Sequence, residues 1–76
     1  MTVKDYVNVI LDGCGVETCD RLLSVCDLSV WDYLSKSLKK RYQVHCEHSK
    51  CRISELYSTP EEAVTRFLEV RSLINE

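Results

Sequence analysis

No stretch of this sequence approaches the ~18 consecutive apolar residues that a bilayer-spanning helix needs. Two glycines and one proline among 76 residues leave no Gly- or Pro-rich linker, and no repeat or low-complexity tract is present. One domain covering residues 1–76 is therefore expected. The opening segment, Met1 to Asp5, already carries an acid and no long apolar core follows it, so no secretory signal is read there. Catalytic signatures are missing as well: there is no Gly-x-Ser-x-Gly, no His-Glu-x-x-His, no Walker loop and no dinucleotide fingerprint. Gly13-Cys14-Gly15 follows a helical pattern instead of a strand, which suits a turn and not a phosphate loop. These absences point to a cytoplasmic, intracellular chain with no membrane association and no enzymatic activity.

What is present is an ordinary globular composition, 45% hydrophobic and 29% charged. A chain this short buries a thin core, and its stability is expected to be only about 3–5 kcal/mol unless a metal or a second copy adds to it. Five cysteines form an odd set, which suits thiols or metal ligands in a reducing compartment better than a disulfide framework.

Helical spacing is clearest at the two ends. Val3, Tyr6, Val7, Ile10 and Leu11 recur as one stripe over about residues 3–12, behind Thr2 as a cap and ahead of Gly13. Thr59-Pro60-Glu61-Glu62 is a helix start, followed by Ala63, Val64, Phe67, Leu68 and Ile74 over about 60–74. Between them, Val16, Cys19, Leu22, Leu23 and Cys26 fit one helical face over 16–26, with two short strands as the alternative. Trp31, Leu34 and Leu38 fit another over 30–41, with Lys39, Lys40 and Arg41 at its negative end. Trp31 then reads as a core anchor. Tyr42, Val44 and Cys46 alternate with Gln43 and His45, which suggests a small β-hairpin near 42–53. The expected fold is α+β and helix-rich, with three or four helices; an all-α four-helix bundle is the alternative.

Two groups of side chains stand out. His45, Cys46, His48 and Cys51 lie within seven consecutive residues, and thiolate sulfur and imidazole nitrogen are zinc's structural ligands. Only one half of a paired zinc motif is visible, and the competing reading makes Cys19 and Cys26 small core hydrophobes and His45 and His48 surface residues. The second group is a basic window. Lys36, Lys39, Lys40, Arg41, Lys50 and Arg52 are opposed only by Glu47. With Tyr42 beside them they could meet phosphates or an acidic protein surface. Against nucleic acid stands the net charge of −2.

The expectation is a non-catalytic binding module with no cofactor, a regulator or inhibitor docking on a larger protein. The alternative is a nucleic-acid-binding module with one structural zinc at His45–Cys51, using the 36–52 window. A homo-oligomer is a further way for so thin a core to gain stability.

Overall fold

A computed structural model describes residues 2–75. The chain runs α1 (Val3–Leu11), β1 (Val16–Glu17), β2 (Leu23–Asp32), β3 (Ser37–His48), β4 (Cys51–Tyr57) and α2 (Pro60–Ile74). Helix α1 starts at a reciprocal cap: the Thr2 backbone N–H donates to the Asp5 carboxylate at 2.8 Å, and the Asp5 N–H donates to the Thr2 hydroxyl at 3.3 Å. The Thr2 N–H, and then the Thr2 hydroxyl donating to the same carboxylate at 3.1 Å, hold the Asp5 carboxyl below its ordinary pKa. It ends where Gly13, at φ 87°, turns the chain in a conformation that favours glycine. Helix α2 uses Thr59 as cap, with its hydroxyl accepting from the Glu62 N–H at 3.3 Å, and Pro60 in its first turn.

The four strands form one antiparallel sheet in chain order, β1-β2-β3-β4. Register decides which side chains share a face. Val16 stands opposite Val25, Val25 opposite Val44, Leu23 opposite Cys46, and Cys46 opposite Ile53. Alternation along each strand therefore gathers Leu23, Val25, Tyr42, Val44 and Cys46 on one face. Both helices cover that face: Tyr6, Val7 and Ile10 of α1 and Ala63, Val64, Phe67, Val70 and Ile74 of α2 join it in one cluster. Among the described residues, no polar or charged residue is buried. Each large member contributes roughly 1.5–3 kcal/mol by leaving water. Across the core, the Tyr6 and Phe67 rings stand 5.9 Å apart. Arg71 donates to the Tyr6 hydroxyl at 2.8 Å and lies over both rings. The sheet's other face carries Ser24, Cys26, Gln43, His45 and Ser54, and no described helix covers it.

The fold is α+β but not helix-rich. Strands of 2, 10, 12 and 7 residues outweigh helices of 9 and 15, and the four-helix bundle is excluded with them. The expected helix over 16–26 is instead β1, a turn and the start of β2. The expected helix over 30–41 is the end of β2, a turn and the start of β3. Trp31 and Leu38 are direct cross-strand partners, so their helical spacing was a coincidence of a tight turn between them. Trp31 is 46% exposed and is no core anchor. Cys19 is exposed and Cys26 half-buried, so neither is a core residue. The hairpin near 42–53 exists but is longer on both sides, and its turn is Ser49-Lys50.

Candidate docking surface: an exposed hairpin arm

The sheet is four strands wide only near β1. The β3–β4 ladder begins at Tyr42 opposite Tyr57, and β1 reaches β2 only at Ser24 and Val25. Beyond Asp27 the β2–β3 hairpin continues with neither neighbour. Its pairs are Leu28–Arg41, Ser29–Lys40, Val30–Lys39, Trp31–Leu38 and Asp32–Ser37. This two-stranded arm projects about 17 Å at ~3.3 Å per residue. It gives the molecule a long axis of 43 Å against 25 and 17 Å for the others.

The tip is set by its own polar chemistry. The Asp32 carboxylate accepts from the Leu34 N–H at 3.0 Å and from the Ser35 hydroxyl at 3.0 Å, a side-chain-built turn. Those donors, the Leu34 N–H first, hold the Asp32 carboxyl below its ordinary pKa. Lys36, at φ 53°, completes the reversal in the left-handed region.

Large apolar side chains sit on this arm in water. Trp31 is 46% exposed, Tyr33 83%, Leu34 97% and Leu38 66%; they are four of the eight exposed large hydrophobics among the described residues. The Trp31 and Tyr33 rings meet edge to face at 6.4 Å. Four cations, Lys36, Lys39, Lys40 and Arg41, surround them against Asp32 within the arm. Lys40 is tied at the root to Asp27 at 3.1 Å.

A second feature lies at the root of the arm. Because β4 runs antiparallel to β3, it ends beside Tyr42, and α2 begins there. Glu55, Tyr57, Glu61, Glu62, Thr65, Arg66 and Glu69 line a groove of about 560 Å³ between β4 and α2. Glu55 accepts from the Tyr57 hydroxyl at 2.7 Å and from Arg66 Nε at 2.9 Å, and Arg66 also meets Glu69 at 3.3 Å. The Tyr57 hydroxyl and then Arg66 draw the Glu55 carboxyl pKa down, while the same bond to Glu55 pushes the Tyr57 phenol up. Thr65 and Glu69 also line a more apolar groove with Val3, Leu68 and Leu73.

The basic window does not form one patch. Lys36 is at the arm tip, whereas Lys50 is in the β3–β4 turn at the opposite end of β3, reaching the Ile74 carbonyl at 3.4 Å. Lys39 and Arg41 are on the arm face away from the helices. Lys40 is on the helix side, Arg52 pairs across from Glu47, and Tyr42 is a core residue at 7% exposure, unable to stack on a base.

Strand alternation also divides the expected zinc ligands. Cys46, His48 and Cys51 share the helix-side face, and His48 stands opposite Cys51. His45 points to the other face, where its ring meets Glu47 at 3.1 Å. Cys46 is 1% exposed, packed in the core. No group of three or more His, Cys, Asp or Glu side chains suited to a metal ion occurs among the described residues.

Sequence reasoning missed Tyr33 and Leu34 as surface residues. The usable signal was Asp32 with Ser35 and Ser37, a polar cluster that marks a turn between two apolar runs. Compared with protein-family models, curated proteins and solved structures, the chain finds no match.

Proposed function

We propose that this chain is a non-catalytic binding module that docks on a protein partner through the β2–β3 arm. The observation carrying this reading is the exposure of Trp31, Tyr33, Leu34 and Leu38 together on one two-stranded projection. An isolated hairpin is marginal in water, and side chains this exposed gain little burial from their own fold. Tyr and Trp are the side chains that dominate protein interfaces when desolvated. The cations around them suit a polar rim facing an acidic surface. A regulator or inhibitor that inserts such an arm into a larger protein, or into another copy, fits a chain of this size. Five free thiols favour a reducing, intracellular setting. No described helix is long and apolar enough to cross a membrane.

The test is a photo-activatable cross-linker placed at Leu34, with Ser49 at the opposite end of β3 as control, in cells producing the chain. A discrete protein adduct from Leu34 and not Ser49, lost with Trp31→Ala, is the expected result. Absence of any polypeptide adduct at Leu34 would overturn the reading. Retention on nucleic acid that falls steeply with salt would point to the alternative partner.

A further inference from the structure

We propose that the surface receiving the arm is the β4–α2 groove of a second copy, so that two copies clasp each other reciprocally. This rests on the docking role of the arm argued above. Charge is the first support. The arm carries Lys36, Lys39, Lys40 and Arg41 against Asp32 and against Asp27, which holds Lys40 at 3.1 Å, a net of two positive charges. The groove carries Glu55, Glu61, Glu62 and Glu69 against Arg66, a net of three negative charges. Opposite fields steer association and fix orientation.

Apolar chemistry is the second support. The acidic groove adjoins the one lined by Val3, Leu68 and Leu73, and the two share Thr65 and Glu69. Val3 and Leu73 are 36% and 48% exposed. A tip bearing Tyr33 and Leu34 beside Lys36 and Lys39 presents the same pairing of apolar and charged groups with the charge reversed.

Placement is the third. The acidic start of α2 sits at the root of the arm, because β4 ends beside Tyr42. Two arms lying antiparallel bring each tip to the other's root, where Glu61 and Glu62 stand. One two-fold axis then satisfies both contacts, and the assembly closes at two copies. Weighted by their fractional exposures, the four arm side chains offer roughly 500 Å² per copy at ~150–250 Å² for each fully exposed large side chain. Two arms would bury about 1,000 Å² before any polar rim is added, the lower bound of a specific interface. An acidic surface on another protein is the competing occupant.

Sedimentation equilibrium at micromolar concentration tests this, with far-UV circular dichroism to confirm folding. The wild-type chain is expected at twice its own mass in low salt, shifting toward single copies in ~1 M salt, where the Debye length is about 3 Å. Leu34→Asp, the arm pair Lys36→Glu with Lys39→Glu, and the groove pair Glu61→Lys with Glu62→Lys are each expected to weaken self-association about tenfold or more. Mixing the reversed-arm and reversed-groove chains restores opposite charges at both contacts and is expected to return the two-copy mass. If the groove pair fails to fold, Glu69→Lys replaces it. A wild-type chain that remains single, masses growing beyond two copies, or a mixture no tighter than its components would overturn the proposal. If the chain is single yet Leu34 cross-links to a different protein, this inference falls and the docking role stands. If Leu34 cross-links to no polypeptide, both fall.

Discussion

Truncating Leu23 and truncating Leu34 remove the same atoms but should have opposite consequences. Leu23 is fully buried between Cys46 and the helices, whereas Leu34 is 97% exposed at the arm tip. A buried Leu→Ala change costs about 2–5 kcal/mol, because the lost burial is joined by a cavity the neighbours fill only partly. An exposed one stays within about 0.5 kcal/mol. With a total stability of about 3–5 kcal/mol for so small a core, Leu23→Ala is expected to leave much of the population unfolded at room temperature. Ile10→Val, also at 0% exposure, grades the same core with a loss of about 0.5–1.5 kcal/mol. Urea unfolding followed by circular dichroism is the assay. With a slope near 1 kcal/mol per molar, Ile10→Val lowers the midpoint by about 0.5–1.5 M and Leu34→Ala by less than about 0.5 M. The comparison belongs at dilution and high salt, where self-association contributes least. A Leu34→Ala loss above about 1 kcal/mol with Leu23→Ala near wild type would refute the face assignment and revive a helical stripe through 30–41.

Thr59→Ala removes the hydroxyl that accepts from the Glu62 N–H and should cost about 1 kcal/mol. That is roughly 4–8 °C in Tm for a domain of this size, read by calorimetry. Arg21 holds φ 62° in the turn before β2, and Arg21→Gly should relieve strain on the order of 1 kcal/mol, partly offset by the freer unfolded chain, so Tm should hold or rise. Glu55 has a lowered carboxyl pKa in the folded chain, so the folded state binds its proton less readily than the unfolded state. Its stabilisation is fully present above the unfolded pKa, near 4.5, and is lost as pH falls through the lower folded value. Glu55→Gln should therefore flatten the decline of Tm below about pH 4.5, by less than about 1 kcal/mol for so exposed a pair.

Both helices were legible because their ends carry chemistry with few other uses. Thr2 with Asp5, and Thr59-Pro60-Glu61-Glu62, satisfy backbone donors that only a helix start leaves open. The middle was not legible because periodicity is blind to chain reversal. Trp31, Leu34 and Leu38 are spaced as a helical stripe, yet Leu34 sits in the turn, and Trp31 faces Leu38 across the ladder. In β2, Leu23 and Val25 alternate with Ser24, but Asp27 interrupts the apolar series where the arm begins. Alternation was readable at Tyr42, Val44 and Cys46 because there β3 is flanked on both sides and packed beneath α2. Strand geometry splits the metal candidates, leaving Cys46, His48 and Cys51 on one face and His45 on the other. Residues close in sequence on a strand alternate faces, so His45 and Cys46 diverge although adjacent. The cations were legible as residues but not as a surface, since β3 carries Lys36 and Lys50 to opposite ends.

The bond between Tyr6 and Arg71 joins residues 65 positions apart, while every strand pairs with its neighbour in sequence. The sheet can therefore zip up as it leaves the ribosome, hairpin by hairpin. Helix α1 precedes the sheet and covers only part of its apolar face; Phe67 and Val70, which complete the cover, follow all four strands in the chain. Until α2 emerges, Leu23, Val25 and Val44 lack the part of their cover that α2 supplies. A nascent chain halted short of Phe67 is consequently a substrate for aggregation or proteolysis, and completion of the domain coincides with delivery of its second helix.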